Sequence, residues 1–303
     1  MDDENLNFFE FQKRYSSEEA CLESISKARW PKGFRCPKCG HDDGYKLSKR
    51  RAFQCTSCRR QTSITAGTVF EKTRLPLKHW FWIIFFVAQD KGSGSATRIS
   101  KLLGMHYATV WFILQKLRVA MAKRDEGIML SGFIEIDDAF FGGRSKGKTG
   151  RGALGKKQVI VMVEREGPYA GNASITAIDK LNYESIKATV GARVEPMQHF
   201  RSDGCGSYVG IINMGEGHRL KIGKVPKELQ DKELPNVNLV ISLAKRYLLG
   251  TYHQYCAAPR HHFQRYLDEY CFRFNRRHRW YQLASRLLKT CALHPPIQYA
   301  ALS

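Results

Sequence analysis

The sequence predicts a multidomain α+β chain: a small cysteine-rich module, a helical module, and a larger domain in which a mixed sheet is flanked by helices. Three observations lead there. Two C-x-x-C pairs, Cys36/Cys39 and Cys55/Cys58, lie in a stretch rich in Lys and Arg. Helical periodicity fills residues 75–125. From about residue 133 the pattern turns to short β-like runs, "FIEIDD", "KQVIVMVER" and "NASITAID", then a helical stretch, a further strand "QHFRSD", and helices again. The expected division is 1–33 for an N-terminal helical segment, 34–66 for the cysteine module, 70–127 for the helical module and 131–291 for the sheet domain.

The composition of the 303 residues, 43% hydrophobic and 25% charged, suits a chain that buries a core. The charge balance is less ordinary. A formal charge of +21 and a pI near 9.7 attract polyanions and point to nucleic acid. The acidic start "MDDENLNFFE" does not read as a secretory signal. The longest apolar run, Trp80 to Ala88, has about half the length a bilayer span needs, so a buried helix is expected and no membrane partner. Of nine cysteines, four form the two tight pairs and the rest scatter. That favours a reducing compartment, the cytoplasm, over a disulfide framework.

Along the chain, Ser16 and Glu19 have capping-box spacing, and "EEACLESISKA" continues helically to "RWPKG". Next come the cysteine pairs, separated by fifteen residues. Two knuckles at that separation bring four thiolates, Cys36, Cys39, Cys55 and Cys58, within reach of one tetrahedral zinc, and four protein ligands make that zinc structural. The intervening "GHDDGYKLSKRRAFQ" reads as a hairpin with a basic tip, His41 being a turn residue.

"SATRISKLLGMHYATVWFILQKLRVAM" reads as a short helix, a break at Gly104 and a longer helix, the layout of a helix-turn-helix. Ile99, Leu102 and Leu103 stripe the first helix; Val110, Ile113, Leu114 and Leu117 stripe the second. Tyr107, Thr109, Gln115, Lys116 and Arg118 are then left to face DNA.

"GGRSKGKT", Gly142 to Thr149, satisfies the phosphate-loop pattern literally. The mechanism needs that loop to open a helix, yet "GRGALGKKQ" follows, rich in glycine and leading into a β-run. A basic loop that tracks a DNA backbone fits better: Arg144, Lys146, Lys148, Arg151, Lys156 and Lys157 carry six positive charges with no acid among them.

Two aspartates share a context of strand end followed by turn: Asp137 in "FIEIDDAFFGG" and Asp203 in "HFRSDGCGSY". Carboxylates brought together across a sheet repel unless a cation lies between them, and magnesium, held by oxygens and substrate phosphates, is the usual one. Two such ions clamp both oxygens of a phosphodiester displacement. Asp138 points to the opposite strand face and is read as structural or supporting.

The order of cysteine module, helix-turn-helix, "EIDDAFFGG", "SDGCGSY" and "VNLVISLAKRYLLGTYH" resembles the bacterial insertion-sequence transposases of the zinc-ribbon class over nearly the whole chain. The resemblance implies a ribonuclease-H-like core of the DDE type. Its first catalytic acid is Asp137 and its second Asp203. The place of the usual glutamate is held by Asn238, followed seven residues later by Lys245, which matches the subgroup with an Asp-Asp-Asn triad and an auxiliary lysine. Seven residues are close to two helical turns, so the two side chains share a helix face. An amide oxygen can ligate Mg2+ or Mn2+ without adding charge, and Lys245 can meet a DNA phosphate. Glu233 is the runner-up third ligand; no role is assigned to His253 of "GTYH".

The expectation is a DNA transposase that cuts the ends of a mobile element and joins them to target DNA, using catalytic Mg2+ or Mn2+ and structural Zn2+. Its partner is double-stranded DNA, with a homo-oligomer in the synaptic complex on resemblance alone and the bacterial nucleoid as its setting. The alternatives are a zinc-ribbon transcription regulator without catalysis and a phosphate-loop ATPase. In the C-terminal run, Arg273, Arg276, Arg277, Arg279, Arg286 and Lys289 interleave with aromatics, which suits DNA backbone contact or a solvated helix face.

Overall fold

The computed structural model describes residues 6–92, 94–142, 156–203, 206–214, 219–222, 233–252, 260–299 and 302. The chain forms two compact units, one of residues 1–123 with 278–303 and one of residues 124–277. Among the described residues, no helix is long and apolar enough to cross a membrane.

The first unit starts with α1 (Phe8–Arg14) and α2 (Glu18–Arg29). A capping box does occur here, but on α1, between Asn7 and Glu10. Helix α2 is capped by Ser17 rather than Ser16, its hydroxyl accepting from the Ala20 N–H at 3.1 Å. A three-stranded sheet follows in the order β1 (Gly44–Leu47), β2 (Ala52–Cys55), β3 (Gln61–Ser63), all antiparallel. The aromatic run forms α3 (Leu77–Gln89), with Trp80, Phe81, Ile83, Ile84 and Phe85 buried as expected. Pro76 gives α3 no side-chain cap, and the Glu18 carboxylate takes its place, accepting from the N–H groups of Leu77 and Lys78 at 3.0 Å each.

Helix α4 (Ala96–Leu103) ends on Gly104, whose φ of 62° is the left-handed conformation that glycine supplies at a helix end. Helix α5 (Tyr107–Asp125) follows. The last helix, α9 (Leu283–Leu293), packs on α2 and α3. Its stripe of Leu283, Leu287, Leu288 and Cys291 is buried there, and the Val69 N–H donates to the Cys291 carbonyl at 3.1 Å. Residues 278–291, expected with the sheet domain, therefore belong to the first unit.

The second unit carries a five-stranded sheet in the order β6-β5-β4-β7-β8. Strands β4 (Phe133–Phe141), β5 (Lys157–Glu166) and β6 (Tyr169–Ile178) are antiparallel neighbours. Strand β7 (His199–Ser202) runs parallel to β4, and β8 (Arg219–Ile222), which the sequence reading did not anticipate, runs parallel to β7. Helix α6 (Tyr183–Arg193) connects the antiparallel half to β7; α7 (Pro235–Tyr252) and α8 (Arg260–Phe274) come after the sheet.

Alternation along the strands sorts side chains into two cores. Ile134, Ile136, Ile160 and Met162 pack with Ile186 and Val190 of α6 on one face. Ala139, Phe141, Val159, Val161 and Val163 pack with Val237, Val240 and Ala244 of α7 and Phe263 and Leu267 of α8 on the other. A mixed sheet with helices on both faces agrees with the expected ribonuclease-H-like architecture.

Strand β6 lies at the sheet edge, and side chains cover its open backbone groups, the usual safeguard against strand addition. Asn275 accepts from the Ala173 N–H at 2.8 Å and donates to its carbonyl at 3.1 Å. Gln264 accepts from the Ala177 N–H at 2.7 Å and donates to the Ile175 carbonyl at 2.9 Å. Arg277 donates to the carbonyls of Ala170 and Gly171. Arg276 is likewise structural, pairing with both oxygens of Asp125 at 2.6 and 3.0 Å.

Burial pushes the Asp268 carboxyl up to about 6, against the opposing pull of its Gln264 hydrogen bond and of Arg193 and Arg265, and with Asp125 adding to the rise. The folded state therefore holds a proton that the unfolded chain gives up near its ordinary carboxyl value. Stability from this group is complete below about pH 4 and declines as pH rises through about 6. Asp268→Asn is expected to stabilise the protein at pH 7 by on the order of 2 kcal/mol and to flatten this slope. Denaturant unfolding at acid and neutral pH reads the difference.

Candidate metal centre and active site

The sulfurs of Cys36, Cys39, Cys55 and Cys58 all lie within 4.8 Å of one another. Cys36 and Cys58 are 3.5 Å apart, Cys39 and Cys55 3.6 Å. A tetrahedron of Zn–S bonds of about 2.3 Å has edges of about 3.8 Å, so the four thiols fit zinc. The two knuckles repeat one backbone design. The Cys36 N–H donates to the His41 carbonyl at 2.8 Å and the Cys55 N–H to that of Arg60 at 3.0 Å. The N–H groups of Gly40 and Arg59 donate back to the carbonyls of Cys36 and Cys55 at 2.9 and 3.1 Å. Both turn residues are left-handed, Gly40 with φ 74° and Arg59 with φ 59°. The crowded sulfurs share their charge unevenly: the Cys36 thiol is pulled down, chiefly by the Cys39 N–H, while the Cys39 thiol is raised against the lowering pull of the His41 N–H. Phe34 and Phe53 stack at 5.0 Å beneath this centre, with Trp30 against both.

The acids lie just past the stretch where β4 and β7 pair. The parallel register pairs Phe133 with His199, Ile134 with Phe200 and Glu135 with Arg201. Carried two residues further, it sets Asp203 level with Asp137, on strands about 4.8 Å apart. Residues level with each other in a parallel pair project to the same face, and both aspartates are partly exposed. Asp138 faces the other side, where its carboxylate accepts from Gln158 Nε2 at 2.9 Å.

Helix α7 crosses the Asp137 face. Near its start, the Glu135 carboxylate accepts from the N–H groups of Asn236 and Val237. Further along, the Lys245 amine lies 5.7 Å above the Phe141 ring. Partial burial pushes this amine below its ordinary value; Lys156 pushes the same way and Asp137 opposes both. Lys245 thus lies within electrostatic reach of Asp137. Asn238 stands between the two anchors, at the rim of the helix face that buries Val237, Ile241 and Ala244. Glu233 pairs with Arg201.

The helix-turn-helix expectation needs correction. Val110, Ile113, Leu114 and Leu117 are buried as expected, but so are Gln115 and Arg118. Those two cannot read DNA from where they lie. The buried arc of α5 extends well past its apolar stripe and takes in Ala120 and Met121 as well. Lys116 is half-buried, its amine 6.0 Å from the Trp80 ring and 5.3 Å from the Phe112 ring. Leu102, assigned to the stripe of α4, is 58% exposed; Ile99 and Ser100 are the buried pair. What remains open is the first turn of α5, where Tyr107 and Thr109 are exposed. Arg144, Lys146, Lys148 and Arg151, with the phosphate-loop pattern, and His253 lie outside the described residues.

The sequence reading missed Glu135. It is wholly buried and fully engaged, whereas Asp137 and Asp138 on either side of the strand are partly exposed. Its signal was present: in "FIEIDD" the glutamate takes an inward position of a period-2 strand.

A four-thiol ribbon in one unit and a mixed sheet flanked by helices in the other are the two parts of the chain that known families match. Residues 129–275 match the ISXO2-like transposase domain and residues 16–61 the transposase zinc-ribbon domain. The chain belongs to the insertion-sequence transposases that carry a zinc ribbon. It is 28% identical over 140 residues to a protein in the transposable element ISH50 of Halobacterium salinarum, a match covering 45% of this chain and 46% of that one, so it spans less than half of that relative. Among solved structures it is similar to a chain of the simian T-cell lymphotropic virus intasome in complex with PP2A regulatory subunit B56 gamma. That match is 13% identical, covers 74% of this chain and 69% of the other, and has a TM-score of 0.29, too low to bear on the fold.

Proposed function

We propose that this protein cuts the ends of a mobile DNA element and joins the freed 3′ ends to target DNA. The observation that carries the reading is the β4–β7 register, which, extended two residues past Glu135 and Arg201, would bring Asp203 level with Asp137 on the sheet face that packs against the helix bearing Asn238 and Lys245. Two carboxylates and an amide oxygen form an all-oxygen set suited to Mg2+ or Mn2+. Such ions, when bound, supply charge to the attacking and leaving oxygens of a phosphodiester displacement. Asp137 and Asp203 would hold them from the sheet and Asn238 from α7. Lys245, whose amine lies over the Phe141 ring, would present that amine to a non-bridging phosphate oxygen and fix the strand in line. Asp138 bonds on the opposite face and plays no direct part.

The first turn of α5 would enter the major groove of the element ends, with the ribbon and the positive surface holding the backbone. Tyr107→Ala is expected to weaken end binding by about 1–3 kcal/mol, measured by titration at fixed salt. The decisive experiment incubates the protein with DNA bearing the element's terminal repeats, in Mg2+ or Mn2+. The expected result is nicks at the repeat boundaries and joined products in the presence of target plasmid. Tight, specific binding without cutting in either metal would make the protein a regulator instead.

A further inference from the structure

Glu135 is wholly buried, a position that strongly disfavours a carboxylate unless its oxygens are filled. The donors that fill them come from the first turn of α7. One oxygen accepts the N–H of Asn236 at 2.8 Å and that of Val237 at 2.9 Å; the other accepts Asn236 Nδ2 at 2.8 Å. Helix α7 opens on Pro235, which has no N–H, so these are the first two backbone donors the helix has to satisfy. Glu135 therefore caps α7 from a strand 101 residues away in sequence.

The location gives this cap its consequence. Level with Glu135 on β7 is Arg201, which pairs with Glu233 two residues before α7. The two strands thus grip residues 233–237 from one row of the sheet. The next row on the same face, two residues along each strand, holds Asp137 and Asp203. Asn238 follows Val237 directly, and Lys245 lies two turns further on. A slip of the first turn of α7 would move Asn238 relative to Asp137, and sites that hold cations tolerate only about 0.5 Å of such movement.

We infer that Glu135 is a positioning residue: by gripping Asn236 and the α7 backbone it fixes Asn238 and Lys245 against the acid pair without touching metal or DNA. The inference rests on the proposed active site for the roles of Asp137 and Asn238; the grip itself rests on hydrogen bonds alone.

An amide-reversal set tests it. In Glu135→Met both backbone N–H groups and the Asn236 amide lose their acceptor; Glu135→Gln is the mild control, since its oxygen keeps both backbone N–H groups and the Asn236 amide can turn to accept from the new NH2. In Asn236→Asp two carboxylates meet. In the double variant, Glu135→Gln with Asn236→Asp, the new amide on β4 would donate to the new carboxylate on α7, restoring every bond at the wild-type net charge. Each full-length variant is measured in three ways: amide exchange at residues 236–239, binding to element ends, and cleavage against Mg2+ concentration. Glu135→Met and Asn236→Asp are each expected to bind DNA like wild type, to exchange these amides at least about tenfold faster, and to lose about 10–100-fold in cleavage with a higher Mg2+ requirement, while Glu135→Gln stays close to wild type. The double variant should recover all three. Asn236→Ala, which keeps both backbone bonds, should show a weaker form of the same shift, and it serves if a single swap does not fold.

A lower melting temperature with unchanged Mg2+ requirement and unchanged cleavage per folded molecule would overturn the inference. So would failure of the double variant to recover. If wild type proves unable to cut DNA, the functional reading falls, and the exchange arm still decides the grip: unchanged protection of residues 236–239 in Glu135→Met sinks it.

Discussion

Asp137→Ala is expected to lower cleavage of element ends by about a thousandfold or more while leaving their binding within a few-fold of wild type. The size follows from what the carboxylate would do. Ions held by it offset charge on the reacting oxygens, a stabilisation of several kcal/mol, and each 1.36 kcal/mol is about a factor of ten in rate. Binding should survive because, on this proposal, DNA would be held by the first turn of α5 and by the general positive charge. Asp138→Ala provides the contrast. Its carboxylate faces away from α7 and bonds to Gln158, so its loss should cost about 1 kcal/mol of stability and little rate. Asp203→Ala should resemble Asp137→Ala, because the strand register, extended two residues, would bring the two level. Single-turnover cleavage with saturating protein separates rate from binding. Equal losses for Asp137→Ala and Asp138→Ala, or a larger loss at Asp138, would refute the assignment of faces.

The contrast between these neighbours was legible before any coordinates, because alternation in a strand is a local rule. What sequence could not show was how far β4 runs: it continues to Phe141, with the glycine pair beyond it, so both aspartates lie within the ladder rather than at a turn. The same rule, applied one step earlier, would have singled out Glu135. Its partners are Asn236 and Val237, and only the fold brings them there. The errors on α5 have a related cause. An apolar stripe marks the centre of a buried face but not its width, and tertiary packing took in Gln115 and Arg118. The C-terminal arginines show the same limit. Their charge suggested DNA, yet Arg276 pairs with Asp125 and Arg277 covers the edge of β6, partners more than one hundred residues distant. Cysteine spacing, by contrast, needs no distant context, since each knuckle is built by its own turn.

Removing zinc should therefore produce a large and sharply bounded loss. The ribbon has a small core, Phe34, Cys36 and Cys55 with Trp30, Phe53 and Cys58 packed against it, and half of these are the proposed ligands themselves. With so little apolar area, modules of this size draw most of their folding free energy from the metal, about 10–16 kcal/mol in comparable peptides. Cys55→Ser, or a strong chelator, is expected to unfold β1, β2 and both knuckles, with amide protection lost across residues 36–61. Binding to element ends should fall at least tenfold, since the ribbon's basic tip, Lys49 to Arg51, would no longer be held in place. The second unit should keep its fold, because its two cores contain no residue of the ribbon. Metal analysis by mass spectrometry should find one zinc per chain and none after Cys55→Ser. Protected ribbon amides in metal-free protein would show that the hairpin folds on packing alone, and would reduce the four thiols to a bystander cluster.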